Sequence, residues 1–171
     1  RSVERADKPQ LVADLLPQVF RWARTVDPVQ PLTTGVWEGQ WGDRSRRSEM
    51  ASIQLDMADV ITFHSYDNPA GFEARIDELQ PWGRPLMCTE YLARTEGSTI
   101  EGVLPVAKRR HVGAYTWGLI AGKTQTWLPW DSWDRPYLKP PREWFHDLAF
   151  ADGRPYRRRE IDTIRKLTGS G

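Results

Sequence analysis

The stretch 83-GRPLMCTEYLART-95 opens on a Gly and a Pro, runs through Leu86, Met87, Cys88 and Thr89, and finishes on Glu90 and Tyr91. Gly and Pro punctuate the chain, and the short apolar run behind them reads as a strand buried on both faces. A buried strand that ends on a single acid needs a reason. Working outward, the same sequence element recurs on both sides. Before it, 59-DVITFHSY-66 is β-branched and apolar and ends in His64, Ser65, Tyr66 and Asp67. Earlier still, 30-QPLTTGVW-37 reads as a short strand ending at Trp37 and Glu38. After it, 112-VGAYTWGLI-120 is a fourth strand, with Trp117 near its end.

Helical sequence separates these strands. The apolar positions 11, 12, 15, 16, 19, 20 and 23 follow a helical period, with Pro17 as a kink or restart and Asp27-Pro28 as the stop. Residues 48–58 and 68–83 read as helices, the second placing Phe72, Ile76 and Leu79 on one face. In 97-GSTIEGVLPVAKRRH-111, Ser98 and Glu101 have capping-box spacing. A long Trp-rich loop, 121–141, follows the fourth strand. A turn is expected at Asp152-Gly153, and residues 157–169 read as a last helix capped by Gly169. One helix followed by strand–helix four times over implies βαβ units and a parallel sheet, in one domain over residues 1–171. Right-handed crossovers then allow an open doubly wound sheet or a (β/α)8 barrel. The segment 118-GLIAGKT-124 has three residues between its glycines where a phosphate loop needs four, which argues against nucleotide binding. The barrel explains the strand ends: in that fold, chemistry sits where strands open into loops at the C-terminal face.

Composition narrows the function classes. The 24 Lys and Arg nearly balance 23 Asp and Glu, so nothing favours nucleic acid or an anionic membrane as partner. The basic run 154-RPYRRREI-161 reads as a solvated helix face. No stretch reaches the length of a membrane helix. Cys88 is the only cysteine, so an intrachain disulfide and a CxxC metal or redox site are excluded, and mid-strand it is expected to be an inert thiol. His111 and His146 show no metal-ligand spacing, and neither a metal nor a cofactor is expected. Nine Trp in a chain of mean hydropathy −0.62 point either to indoles in the core or to platforms for flat sugar faces. Trp22, Trp82 and Trp144 are expected to pack. For Trp127, Trp130 and Trp133, a substrate wall and a loop core are both open. The chain begins at Arg1 inside polar, helix-like sequence and is expected to be a piece of a longer protein, which leaves its localisation open.

The segments ITFHSY (61–66), RPLMCTEY (84–91) and GAYTWGLIAGKTQTWLPWDSW (113–133) resemble the second half of the catalytic barrel of retaining glycoside hydrolases. That clan includes cellulases, mannanases and β-galactosidases, and the resemblance is to its cellulase-like and family 2- or 5-like members. It covers nearly the whole chain. It implies a partial (β/α)8 TIM barrel, about strands five to eight with their helices, that hydrolyses β-linked sugars with retention. It implies Glu90 as nucleophile, with Tyr66 hydrogen-bonding it and His64 lining the sugar site. It implies Trp117 as the floor beneath the attacked sugar, and an acid/base Glu on the fourth strand, upstream of this sequence. Retaining hydrolysis needs two carboxyls about 5 Å apart. Within the chain Glu38, then Asp67 and Asp131, are the candidates for the second. Trp37, Lys123, Gln125 and Trp130 are further candidate substrate contacts. The plain alternative for Glu90 is a salt bridge to Arg84 or Arg94. The expected partners are a carbohydrate and the missing half of the barrel, or another copy through open sheet edges. A non-catalytic sugar-binding half-barrel is the second reading of function.

Overall fold

The computed structural model of the chain describes residues 5–169; the first residues of the helix-like opening lie outside that range. Helix α1 (Lys8–Arg24) carries Pro17 without ending there. Strand β1 is only Gly35–Val36, shorter than the sequence suggests, and Trp37 lies beyond it. Thr33 and Thr34 stay out of the ladder. Helix α2 (Glu49–Met57) starts at Ser48, whose hydroxyl accepts the Ala51 N–H. Strand β2 (Ile61–His64) has its first three residues buried, as expected of a strand covered on both faces. Helix α3 (Pro69–Leu79) runs into a short 3₁₀ turn, Gln80–Trp82, closed by left-handed Gly83. Strand β3 (Leu86–Tyr91) is fully buried only at Cys88 and Tyr91, less covered than its sequence implies. Helix α4 (Ile100–Arg109) buries Ile100, Val103, Val106 and Ala107, and α5 (Arg158–Thr168) ends at left-handed Gly169 as expected. Between them lies β4 (Gly113–Thr116).

The cap of α4 corrects one expectation. Thr99, not Ser98, is the cap, and its hydroxyl accepts the N–H of Gly102, the third residue of the helix. Ser98 is fully buried and its hydroxyl accepts the Leu92 N–H instead, so it ties the helix start to the end of β3.

The four strands form one parallel sheet in the order β1-β2-β3-β4, with Gly35 opposite Thr62 and Val36 opposite Phe63. Neighbours in the sheet are neighbours in sequence, the order in which successive βα units are laid down around a barrel.

The chain separates into two compact units. The residues up to Phe63 with Arg75–Met87 form one, and His64–Ala74 with the residues from Cys88 onward form the other. In the first, Trp41 is fully buried with its ring edge-on to Phe63, and Glu78 accepts the Trp41 N–H at 2.7 Å. Arg84 donates to the carbonyls of Leu55 and Ala58. In the second, α5 is fastened by a buried ion pair. Arg94 meets Glu160 through two bonds of 2.7 Å, and both side chains are fully buried. The remaining Arg94 donors go to the carbonyls of Trp144 and Asp147, and the guanidinium lies over the Tyr156 ring. The basic run is therefore more than a solvated face, because Arg157 pairs with Glu143 and Arg159 with Glu101.

Candidate functional site

The candidate site lies wholly in the second unit and is built by the sheet. The Ser65 N–H donates to the Glu90 carbonyl at 3.0 Å, and the Trp117 N–H donates to the Tyr91 carbonyl at 2.9 Å. These bonds set the ends of β2, β3 and β4 side by side. Side chains two residues apart in extended chain share a face, so His64 and Tyr66 can both turn toward β3. They converge on one atom. The Tyr66 hydroxyl donates to Glu90 Oε2 at 2.7 Å, and His64 Nδ1 lies 3.2 Å from the same oxygen. Both of these contacts fall on Oε2. Glu90 and His64 are about a quarter exposed, at 22% and 26% of their side chains. Two of the residues singled out in the sequence, Tyr66 and His64, thus both meet the third, Glu90. Neither arginine offered as an alternative partner for Glu90 is available, since Arg94 is committed to Glu160 and Arg84 to backbone carbonyls.

Burial first, and then the Glu90 carboxylate it faces, raise the pKa of the Tyr66 phenol well above its ordinary value. The phenol therefore remains a donor at any working pH. Burial likewise pushes the Cys88 thiol up to about 12, which makes it the inert group expected.

The turn after Glu90 is unusual. Leu92 is fully buried and has φ 83°, a conformation that costs a non-glycine residue about 1–3 kcal/mol. Both of its backbone groups are held. Ser98 Oγ accepts its N–H, and the carbonyl accepts from His146 Nδ1. The His146 ring also packs against Tyr66, with centroids 5.6 Å apart. Burial lowers the His146 pKa, which favours the neutral ring that can make this bond. His146 touches both the turn behind Glu90 and the ring that donates to it. Sequence reasoning missed it because it was weighed only as a metal ligand. Its one signal is position, within the run Trp144-Phe145-His146-Asp147-Leu148 that follows a polar, proline-rich stretch.

The Trp-rich loop divides between packing and exposure. Trp130 stands edge-on to Tyr66 at 5.1 Å and to Phe145 at 4.8 Å, so it walls the site and braces Tyr66. Trp144 stacks flat on Tyr156 at 4.5 Å, and Trp127 leans on Trp144. Trp117 is 44% exposed beside β3. Gly118 follows it at φ 83°, where a Cβ would come within 2.6 Å of Asp147 Oδ1. Asp147 is fully buried and accepts from Thr126 Oγ1 at 2.8 Å, which anchors the start of the loop. Lys123 and Gln125 are exposed in the loop, and no described contact brings either to Glu90. Trp37 is exposed and belongs to the first unit.

The candidate second carboxyls are otherwise engaged or elsewhere. Asp67 accepts from Ser65 Oγ at 3.0 Å, Asp131 is held by Tyr137 and Arg135, and Glu38 is in the first unit.

Fold and strand ends together define a parallel-sheet segment of barrel type whose loop-side ends carry ionisable and aromatic side chains. Its similarity to a solved barrel enzyme agrees. The chain aligns with the endo-β-1,4-mannanase from Thermotoga petrophila at a TM-score of 0.53 and 14% identity. The alignment covers 95% of this chain and 40% of the mannanase, so the chain spans less than half the length of that protein. At that identity the likeness establishes the fold, part of a (β/α)8 barrel. No family model and no curated protein matches the sequence.

Proposed function

We propose that the chain is the nucleophile-bearing part of a retaining glycoside hydrolase barrel. The observation that carries this reading is the convergence of Tyr66 and His64 on Oε2 of Glu90 at a strand end. The Tyr66 hydrogen bond and the His64 ring beside the same oxygen hold the carboxylate in one orientation and leave Oε1 for attack. Oε1 forms a bond to the anomeric carbon while the bond to the leaving oxygen breaks, and that oxygen takes its electron pair and a proton from a general acid. Water then attacks the glycosyl ester, gives its proton to the same group acting as base, and frees the Glu90 carboxylate. Trp117 lies under the sugar and helps to exclude water. In this proposal the general acid comes from the other half of the barrel, joined at the sheet edge or contributed by another chain. The mannanase neighbour puts β-1,4-linked mannan first among substrates to test, with β-glucan beside it.

Dinitrophenyl β-glycosides give the test, because their leaving group departs without a proton and the missing acid is bypassed. The protein should release dinitrophenol, the Glu90→Gln variant should not, and azide should restore part of the rate by replacing the carboxylate. A protein that binds oligosaccharide but releases no dinitrophenol, with or without azide, is a sugar-binding half-barrel instead.

A further inference from the structure

Asp147 is a buried acid with no part in the reaction described above. Its side chain is shut off from solvent, yet only one of its oxygens is satisfied. Oδ1 accepts from Thr126 Oγ1 at 2.8 Å, while Oδ2 is buried and meets no donor among the described residues. A buried carboxylate with a bare oxygen costs stability, so packing alone gives no reason for an acid there.

Its contacts supply one. Trp117 and Thr126 bracket a segment that carries Lys123 and Gln125. At the near end, Gly118 approaches so closely that a Cβ would come within 2.6 Å of Asp147 Oδ1 and 3.0 Å of His146 Cβ. Its φ of 83° also favours glycine, so the chain leaves Trp117 hard against the carboxylate. The Trp117 N–H donates to the carbonyl of Tyr91, the residue after Glu90, so this turn begins beside the end of β3. At the far end, the Thr126 bond holds the residue after Gln125, whose φ of 55° is a strained conformation for a non-glycine residue. One carboxylate oxygen thus meets both ends of the segment. Asp147 is itself held: its carbonyl accepts from Arg94 at 3.0 Å, Arg94 is locked to Glu160, and the Leu148 and Ala149 N–H groups donate to the Leu119 carbonyl.

We propose that Asp147 is a positioning residue for sugar binding, which acts through Gly118 and Thr126 to set the Trp117 turn and the loop behind it without touching the substrate. The proposal rests on the glycoside-hydrolase reading above. A ring stacked on Trp117 is bound alike in the ground state and the transition state, whereas Glu90 is held separately by Tyr66 and His64. Loss of the Asp147 contact should therefore weaken binding and spare the chemical step.

Kinetics on dinitrophenyl β-mannoside and β-glucoside test this. Thr126→Val removes the bond to Oδ1 and leaves the buried acid in place; Asp147→Ala removes the support altogether. Both should raise KM about tenfold, with kcat within about twofold of the unsubstituted protein. Asp147→Asn keeps an acceptor for Thr126 and should restore most of the affinity. A residue that only stabilises the fold would lower the melting temperature and the active fraction and leave KM alone. Where Asp147→Ala does not fold, Thr126→Val decides. Trypsin adds a readout that needs no activity: Thr126→Val should be cut after Lys123 about tenfold faster, because the loop opens more often. Unchanged KM in these variants, or equal tryptic rates, overturns the positioning role and leaves the glycosidase reading standing. If the unsubstituted protein releases no dinitrophenol, that reading fails and the positioning role with it.

Discussion

Glu90 and Glu160 lie in the same unit, and Arg94 stands only four residues after Glu90, yet the two carboxylates live differently. Glu160 is wholly buried and takes both of its strong bonds from a guanidinium that is itself buried and spends its other donors on backbone carbonyls. Both carboxylate oxygens and four of the guanidinium N–H groups there have partners. Glu90 is partly exposed, faces no guanidinium among its described contacts, and accepts from a phenol on the oxygen that also faces an imidazole. A charge paired so completely is structural, since removing one partner strands the other in a dry interior. A carboxylate held through one oxygen and partly exposed is not paired in that way. The nearest arginine in sequence serves the fold and leaves Glu90 to Tyr66 and His64.

Swapping the consequences of the two acids gives the sharpest way to break this contrast. Glu90→Gln should lower kcat/KM by roughly three orders of magnitude or more, as expected for a lost covalent step, with the melting temperature nearly unchanged. Activity that survives, or a large loss of stability, would make Glu90 a structural acid like its neighbour. Glu160→Gln should do the reverse. It leaves Arg94 buried without its counter-charge and should cost about 3–5 kcal/mol in denaturant unfolding, while the folded fraction keeps its turnover. Tyr66→Phe comes next. Losing a hydrogen bond to a charged group is worth about 1.5–3 kcal/mol, so kcat/KM should fall by about ten- to a hundredfold. An unchanged rate would mean that Tyr66 only packs against Trp130.

The smallest effect concerns His146. Burial holds it below its ordinary pKa of 6.5, so the neutral ring keeps its full contribution to stability above that pH. As the pH falls from there through the lowered folded-state value, the unfolded chain takes up a proton that the folded chain resists, and stability declines. His146→Gln should flatten that acid limb in urea unfolding measured across the pH range. A limb of unchanged slope would assign it to other groups.

Much of this was readable before any coordinates. The four strands and their helices follow from apolar periodicity, and the candidate trio follows from what stands at the strand ends together with the resemblance to barrel glycoside hydrolases. Three things were hidden. The length of β1 depends on pairing with β2, which propensity alone does not encode. The N-cap of α4 is Thr99 because Ser98 is drawn into the Leu92 turn, a tertiary claim on a side chain whose spacing suited a cap. The site of His146 is created by a left-handed leucine more than fifty positions away, and no local pattern announces it. Likewise the sequence left Trp130 and Trp133 indistinguishable, and only the packing of Trp130 on Tyr66 separates it from the exposed Trp133.

The central claim is that a bond forms between Glu90 and a sugar. A fluorinated β-glycoside inactivator with a dinitrophenyl leaving group should form that bond and hydrolyse slowly enough to be trapped. Digestion and mass spectrometry should then find the added sugar mass on the peptide containing Glu90 and nowhere else. A label on a peptide carrying Glu38, Asp67 or Asp131, or dinitrophenol released with no labelled peptide, would contradict the account.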